Sequence, residues 1–206
     1  MDKLLKLVYD EEIIRKFDRL PRHNLNEFGF DPYGYNPEFI KKIIPAVLFF
    51  YRVYFRTVVE GIEKVPRGRV IIVANHSGQI PIDGSMIVAS MIVEAEPPRM
   101  VRSMVERWVP TLPFVSYFMS RTGQVMGTVD NCLRLLNNDE AILVFPEGVK
   151  GISKTFFDRY KLQEFGNGFM RLALASKSPI VPVAVIGAEE QAPALHNSRT
   201  LAKLVP

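Results

Sequence analysis

The sequence has few of the residues that build disulfides and metal sites. Its 206 residues include one cysteine, Cys132, and three histidines. A single cysteine cannot form an internal disulfide bridge, so nothing points to an oxidising compartment. With so few thiols and imidazoles, the sequence predicts neither a Cys-based metal site nor a cage of several histidines. We therefore expect a protein without a bound metal.

Long apolar runs are missing as well. The longest covers residues 43–51, whereas a helix that spans a membrane needs roughly 20 apolar residues. Charged side chains interrupt the first ten residues before any apolar run develops, so the sequence predicts no secretory signal peptide. We expect a protein that can lie on a membrane without crossing it.

The remaining composition is that of an ordinary folded domain. Hydrophobic residues make up 48% and charged residues 23%, which excludes a disordered or collagen-like chain. The formal net charge of +4 favours an anionic partner, either a lipid surface or a phosphorylated substrate, although a solvated basic surface is the alternative. The 14 phenylalanines are not accompanied by a Lys/Arg-rich block or an RNA-binding signature, so we expect no nucleic-acid partner.

From residue 61 onward, short apolar runs alternate with helical patterns. The runs predict strands over 69–74, 100–105, 124–126, 141–145 and 180–185, and the patterns predict helices over 85–94, 107–120, 129–137 and 166–177. Such alternation predicts an α/β domain, residues 61–206, with a central, mostly parallel sheet flanked by helices. No closing element follows the last predicted strand, which leaves open an incomplete sheet at the carboxyl terminus.

Residues 1–60 predict an N-terminal helical region. A charged helix over 1–20 is followed by a turn-rich linker over 24–37 and by an amphipathic helix over 39–58. On this last helix an aromatic and aliphatic face lies opposite a basic stripe made of Lys41, Lys42, Arg52 and Arg56. Such a helix suits a bilayer interface, with the four basic side chains docking on lipid. The equally open alternative is a helix that packs its apolar face on the core.

A histidine and a carboxylate follow the first predicted strand, in the segment Ala74-Asn75-His76-Ser77-Gly78-Gln79-Ile80-Pro81-Ile82-Asp83. Open α/β sheets bind their ligands where the strands end. A histidine there can take up a proton near neutral pH, and a carboxylate on its other ring nitrogen orients it. His76 and Asp83 are therefore candidate catalytic residues. The alternative is structural, with Asp83 as a helix N-cap, while Ser77 lacks the G-x-S-x-G context of a nucleophile.

A second candidate site follows the strand predicted over 141–145. Pro146 ends this strand because proline cannot donate to a strand ladder, and Glu147 is thereby placed at a strand end. The loop that follows carries three further candidate residues, Gly148, Lys150 and Lys154. Backbone amides and ammonium groups in such a loop can hold a phosphate. A plain turn with solvated lysines is the alternative.

Together these motifs resemble a known family. The Asn75-His76…Asp83 block, the Phe145-Pro146-Glu147-Gly148 block and the strand Ile180-Val181-Pro182-Val183 are similar, in order and spacing, to those of the glycerol-3-phosphate and lysophospholipid (1-acylglycerol-3-phosphate) acyltransferase superfamily. The similarity runs from about residue 57 to the end of the chain. The pairing of the first two motifs is fairly specific, whereas Val-Pro-Val alone is a weak signal.

The resemblance implies the transfer of a fatty acyl group from a thioester, on coenzyme A or acyl carrier protein, to a hydroxyl of a glycerol phosphate or a lysophospholipid. It implies that His76 is the general base, that Asp83 orients it, and that no acyl-enzyme forms. It implies no cofactor other than the acyl donor. Asn75, Glu147 and Gly148 match residues of the two motifs, and the resemblance implies a role for them in binding the substrate.

The sequence departs from the family's pattern in three places. Six residues separate His76 from Asp83, where the family usually has four, so a longer loop must fold the carboxylate back. Lys150 stands where the family usually has an arginine, and it can hold a phosphate only as a point charge. The stretch 123–130 lacks the expected acceptor-binding arginine, for which Arg121 or Lys154 is the candidate substitute.

We therefore expect a peripheral membrane enzyme on the cytoplasmic side, an O-acyltransferase of phospholipid biosynthesis that draws its acceptor from a lipid surface. The departures leave two alternatives open. One is a catalytically inactive lipid-binding or scaffold protein of the same fold, and the other is a thioesterase that uses water as its acceptor. Thiol release from acyl-CoA, measured with and without a lysolipid, distinguishes the three.

Overall fold

In the part of the chain that the structure describes, a parallel sheet of five strands forms the centre. The structure is a computed structural model, which describes residues 10–22, 24–78, 80–191 and 193. In chain order its strands are β1 (Val70–Ala74), β2 (Val101–Val105), β3 (Val125–Met126), β4 (Ala141–Val144) and β5 (Ile180–Val183). Their order across the sheet is β3-β2-β4-β1-β5.

β1 and β4 are neighbours and end at the same level. β1 consists of valine, isoleucine and alanine and is buried along its whole length, as a strand covered on both faces must be. Val70 pairs with Ala141 at the start of the two strands, and Val73 pairs with Val144 near their ends. The loops that follow Ala74 and Val144 therefore emerge side by side.

Seven α-helices surround the sheet within the described ranges. They are α1 (Glu11–Asp18), α2 (Pro37–Leu48), α3 (Ile82–Val93), α4 (Val115–Arg121), α5 (Val129–Asn137), α6 (Val149–Ile152) and α7 (Gly168–Ser176). A π-helical segment, Phe49–Tyr54, continues α2, and single 3-10 turns cover Ile62–Lys64, Val109–Thr111, Phe156–Asp158 and Ala188–Glu190.

Hydrophobic cores lie on both faces of the sheet. Side chains of a strand alternate between the two faces, so Val70 and Ile72 of β1 enter a core shared with α1, α2 and α3. Ile71 and Val73 enter the other core, with α5 and α7. The result is a helix–sheet–helix arrangement in three layers, which confirms the predicted α/β fold class.

The predicted strands agree with the observed ones, whereas the helices predicted over 39–58 and 107–120 differ. Each predicted strand contains the observed strand. The helix predicted over 39–58 consists of α2 and its π-helical continuation, which ends at Tyr54. The helix predicted over 107–120 is instead a 3-10 turn followed by the shorter α4, because Pro110 and Pro113 interrupt the segment. The helix predicted over 1–20 is seen as α1, and its residues 1–9 lie outside the described residues.

The amphipathic segment packs its apolar face on the core. α2 begins at Pro37, behind the N-cap residue Asn36, and Pro45 lies well inside the helix. The buried side chains of α2 and its π-helical continuation are Pro37, Ile40, Ile44, Leu48 and Tyr51. Part of the apolar face therefore packs on the core, as the core-facing alternative predicts, while Phe50 and Tyr54 stay exposed.

The basic residues of this segment have two kinds of surroundings. Lys41 and Arg52 form ion pairs with carboxylates of α1 and of its N-cap, at 2.7 and 3.4 Å. Lys42 and Arg56 are exposed. Among the described residues, none of the helices combines the length and the hydropathy that a membrane span needs.

Arg102 of β2 holds the turn-rich linker against the edge where the strands begin. Its guanidinium is buried and lies 2.6 Å from Asp31 and 3.2 Å from Glu140, with the rings of Tyr33 and Tyr35 against it. A cavity of about 500 Å³ is lined in part by these residues. It lies at the edge of the sheet opposite to the loops that follow β1 and β4.

Candidate active site

His76 and Asp83 meet in a buried hydrogen bond. His76 Nδ1 lies 2.7 Å from Asp83 Oδ2, and the same oxygen accepts a hydrogen bond from the backbone N–H of Ser77 at 3.1 Å. Because the carboxylate occupies Nδ1, the other ring nitrogen, Nε2, is the one that can take up a proton. The N-cap residue of α3 is Pro81, so Asp83 does not act as the helix cap.

A tight turn brings Asp83 back to His76 across the longer loop. Gly78 has a φ of +79°, and a Cβ there would come within 2.9 Å of a carbonyl oxygen in the last 3-10 turn, so glycine alone suits this position. A hydrogen bond of 2.7 Å from the N–H of Ile82 to the carbonyl oxygen of Ile80 closes a second turn. Asp83 then lies in the first turn of α3, within reach of the end of β1.

Two residues without a predicted role of their own pack against His76. The ring of Phe145 stacks on the imidazole, with centroids 4.0 Å apart and an interplanar angle of 18°. A Cβ on Gly151 of α6 would come within 2.9 Å of the His76 carbonyl oxygen, so a larger residue there displaces the histidine. Both contacts join the end of β1 to the segment after β4. Because they connect residues far apart in the chain, the spacing of residues within one motif does not predict them.

Glu147 points inward, toward the backbone of His76. Its side chain is fully buried. Oε1 accepts the N–H of His76 at 2.9 Å, and Oε2 accepts the N–H of Gln163 at 2.7 Å. Gly148 follows with a φ of +55°, and its own N–H donates to the carbonyl oxygen of Phe145 at 2.9 Å. Both carboxylate oxygens are therefore engaged within the protein.

The two lysines of the loop lie in opposite surroundings. The Lys154 side chain is 3% exposed, and its Nζ lies 3.7 Å from Glu147 and 3.6 Å from Glu189. The Lys150 side chain is 70% exposed and lies 3.8 Å from Glu164. Because Lys154 is enclosed between two carboxylates, it cannot contact a phosphate at the surface. Of the two lysines, only Lys150 is exposed enough to contact such a group.

Arg121 lies at the end of the sheet where the strands begin, opposite to the end that carries His76. It is the last residue of α4, just before β3 begins. Its guanidinium donates to the carbonyl oxygen of Gly34 at 3.0 Å and lies over the ring of Phe30 at 4.0 Å. Arg121 therefore anchors the N-terminal region, whereas His76 lies where β1 ends. The structure does not bring these two candidate residues together.

Asn75 extends the pairing of β1 with β5. Its Nδ2 donates to the carbonyl oxygen of Val185 at 2.9 Å, and its Oδ1 accepts the N–H of Val185 at 2.7 Å. This side-chain pair continues the ladder beyond its last backbone pair, Ala74 with Val183. Asn75 thus supports the strand end that carries His76.

The sequence of this site also matches known proteins. A family model described as Acyltransferase matches residues 56–186. An uncharacterised protein of Mycobacterium tuberculosis is 40% identical over 184 residues, which cover 88% of this chain and 50% of that protein. An uncharacterised protein of Mycobacterium leprae is also 40% identical, with 49% of its length covered. The chain spans about half the length of these relatives.

More distant relatives carry names that describe an activity. A probable 1-acyl-sn-glycerol-3-phosphate acyltransferase of Mycoplasma pneumoniae is 28% identical over 166 residues, which cover 76% of this chain and 59% of that protein. A mouse protein named DGAT1/2-independent enzyme synthesizing storage lipids is 28% identical over 127 residues, 61% of this chain and 37% of that protein. No solved structure gives a significant match. The family model covers well over half of the chain, and the chain therefore belongs to the Acyltransferase family.

Proposed function

We propose that this protein is an O-acyltransferase that moves a fatty acyl group from an acyl thioester, acyl-CoA or acyl-ACP, to a hydroxyl of a glycerol phosphate or a lysophospholipid. Membership of the Acyltransferase family supports acyl transfer. The observation that carries the proposal is the 2.7 Å contact between His76 and Asp83, at the carboxyl end of a central parallel strand, where α/β folds bind their ligands.

In the proposed reaction, Nε2 of His76 takes the proton of the acceptor hydroxyl as its oxygen attacks the thioester carbonyl carbon. The new C–O bond produces a tetrahedral oxyanion, which collapses with cleavage of the C–S bond. The imidazolium returns the proton to the departing sulfur, so free thiol and ester are formed and His76 is regenerated. The acyl group passes directly from donor to acceptor.

Asp83 makes this base effective in two ways. By accepting the hydrogen bond from Nδ1–H, it holds the imidazole in the tautomer that presents Nε2 as the acceptor. It also stabilises the imidazolium that forms during attack. Since both side chains are buried, their attraction is screened less than at a surface.

A cation beside the site supports an acceptor that carries a phosphate. Lys150 follows Glu147 and Gly148 by a few residues, and its ammonium group is exposed. As a point charge it attracts a phosphate without the two-pronged geometry of arginine. We place the acceptor's head group at Lys150, since Lys154 is buried and Arg121 lies at the opposite edge.

A lipid surface is the proposed source of the acceptor. Phe50 and Tyr54 of the π-helical segment are 45% and 65% exposed. Two exposed basic residues flank this segment, Lys42 in α2 and Arg56 just after Tyr54. Aromatic and basic side chains together favour an interface with anionic lipid. The segment packs close to Ile82, the residue before Asp83, so docking there places the site near the lipid.

Thiol release tests the proposed function. The protein is incubated with acyl-CoA or acyl-ACP, with and without glycerol 3-phosphate or a lysophospholipid, and both free thiol and ester product are measured. We expect acceptor-dependent thiol release, lost in His76→Ala and lowered roughly 10³- to 10⁴-fold in Asp83→Asn, which keeps the shape but removes the charge. Arg171→Ala, on an exposed position of α7, is the control and should keep full activity.

The other outcomes identify the alternatives. Thiol release that is lost in His76→Ala but needs no acceptor would make the protein a thioesterase. Absence of turnover with every donor and acceptor, in a protein that still binds lysolipid, would favour a catalytically inactive lipid-binding protein.

A further inference from the structure

Three buried charged residues lie behind His76. The side chains of Glu147, Lys154 and Glu189 are 0%, 3% and 6% exposed. The ammonium of Lys154 lies between the two carboxylates, at 3.7 and 3.6 Å. Charges so deeply buried are unfavourable unless they are paired and hydrogen-bonded, so this arrangement demands a specific geometry.

The hydrogen bonds of these three residues connect three separate loops. Glu147 accepts the backbone N–H of His76 after β1 and that of Gln163 in the loop between α6 and α7. Lys154 donates to the carbonyl oxygen of Lys161 at 3.2 Å. Glu189 lies in the 3-10 turn after β5 and accepts the N–H of Tyr160 at 3.3 Å. Each charged group thus holds the backbone of a loop as well as its ionic partner.

We propose that Glu147, Lys154 and Glu189 form a positioning triad that fixes the backbone of His76 and the loop over 155–163, and that none of the three binds the acceptor. Glu147 is the residue in contact with His76. Lys154 holds the carboxylate of Glu147 in place, and Glu189 supplies the second negative charge that keeps Lys154 buried.

Steric contact makes the position of His76 sensitive to this triad. Gly151 lies between the triad and the histidine, so close that a Cβ there would meet Glu147 Cβ at 2.8 Å and the His76 carbonyl oxygen at 2.9 Å. With no free space at this point, a shift of Glu147 moves His76. A displacement of about 1 Å at a reacting group can lower the rate roughly 100-fold.

Steady-state kinetics distinguishes a residue that positions His76 from one that binds the acceptor. This experiment rests on the proposed acyl transfer. We expect Glu147→Gln and Lys154→Met to lower kcat roughly 10- to 100-fold, with KM for donor and acceptor unchanged within about twofold. Lys161→Met is the matched control, because its exposed ammonium pairs with Asp158 while its backbone carbonyl is retained. A raised KM for the acceptor with an unchanged kcat would overturn the proposal, since it would make Glu147 an acceptor ligand.

An NMR measurement without substrate is independent of the reaction. The ring resonances of His76 are assigned by their loss in His76→Ala, in protein labelled with ¹⁵N-histidine. We expect Glu147→Gln and Lys154→Met to shift these resonances and Lys161→Met to leave them in place. Unmoved resonances in both triad variants would refute the triad even if acyl transfer is demonstrated, and shifted ones support it even if the protein proves to be no acyltransferase.

Folding of the variants is checked before either measurement. Cys132 is buried, so its protection from a thiol reagent reports an intact core. Should Glu147→Gln fail this check, Glu189→Gln takes its place with the same readouts, because it keeps the size of the side chain and touches His76 only through its partners. A folded Glu189→Gln protein with unchanged kcat and unchanged His76 resonances would then count against the triad.

Discussion

The imidazole of His76 lies flat on the ring of Phe145, with their centroids 4.0 Å apart. His76 follows β1 and Phe145 follows β4, and these strands are parallel neighbours whose ends are level. The stack therefore joins the histidine motif directly to the Phe-Pro-Glu-Gly motif, which lies far along the chain. Since the hydrogen bond to Asp83 fixes one ring nitrogen and the stack fixes the plane, the imidazole has little rotational freedom.

Removal of the aromatic ring should loosen the base. We expect Phe145→Leu to lower kcat roughly tenfold through misorientation of the imidazole, and to lower the free energy of unfolding by roughly 1–2 kcal/mol through lost packing. Acyl transfer and thermal unfolding measure the two effects. Phe157→Leu makes the same substitution at a side chain that is 70% exposed and should change neither quantity. An unaltered kcat in Phe145→Leu would show that the stack is dispensable.

The location of His76 and Asp83 illustrates what sequence alone predicts well. A β-branched run predicts β1, and residues after such a strand collect at one edge of the sheet, so both candidate catalytic residues could be named in advance. The hydrogen bond between the two side chains is harder to predict, because it depends on the turn at Gly78 and on the contact of this turn with the 3-10 turn after β5. No local pattern encodes that second contact.

The surroundings of the charged candidates were less predictable. Lys150 and Lys154 occupy one loop and look alike in the sequence, yet the first is exposed and the second is enclosed by carboxylates. One of those carboxylates, Glu189, comes from a distant turn that carries no motif. The structural role of Arg121 is likewise visible only in its hydrogen bond to Gly34, which joins segments that are far apart in the chain. Burial of a charge depends on such remote partners.

Ser77 offers a test of which side chain performs the chemistry. Its hydroxyl is buried and has no hydrogen-bond partner among the residues that the structure describes, while its backbone N–H donates to Asp83. We expect Ser77→Ala to keep kcat within about twofold and to raise the free energy of unfolding by up to about 1 kcal/mol, because an unsatisfied polar group is removed. A loss of activity comparable with that of His76→Ala would instead point to a serine nucleophile.

The pH dependence of stability should reveal the raised pKa of the Cys132 thiol. Burial raises the pKa of its thiol from 9.0 to about 11. Between these pH values the native protein keeps a proton that the unfolded chain releases, so the free energy of unfolding falls as pH rises through this interval. Urea titrations from pH 8 to pH 11 should show this fall.

The Cys132→Ala protein isolates the contribution of the thiol from that of buried tyrosines, among them Tyr35, whose pKa is raised to about 12 by burial. We expect a weaker pH dependence in this variant. The native thiol should also resist alkylation at pH 8 and react once the chain is unfolded. Equal pH dependence in both proteins would contradict the assigned shift in the pKa of Cys132.

Binding to lipid vesicles should depend on Lys42 and Arg56. These residues are exposed, whereas Lys41 and Arg52 already form ion pairs with the α1 region. Each basic residue near an anionic surface contributes about 1 kcal/mol, so we expect Lys42→Glu with Arg56→Glu to weaken co-sedimentation with anionic vesicles at least tenfold. Arg171→Glu with Lys177→Glu makes the same change in net charge near α7 and should retain binding. Equal binding by both double variants would place the docking surface elsewhere.

Lys150 provides the sharpest test of the acceptor's chemistry. In the function proposed above, the exposed ammonium of Lys150 binds the phosphate of the acceptor while the reacting hydroxyl lies at His76. We expect Lys150→Ala to raise KM several-fold for a lysophosphatidic acid, with kcat little changed, because the lost interaction is equally present in the ground state and the transition state. A monoacylglycerol, which lacks the phosphate, should have the same KM with both proteins. If KM rises equally for both acceptors, Lys150 acts through the conformation of its loop and not through the phosphate. If KM rises for neither acceptor, the head group binds at another cation.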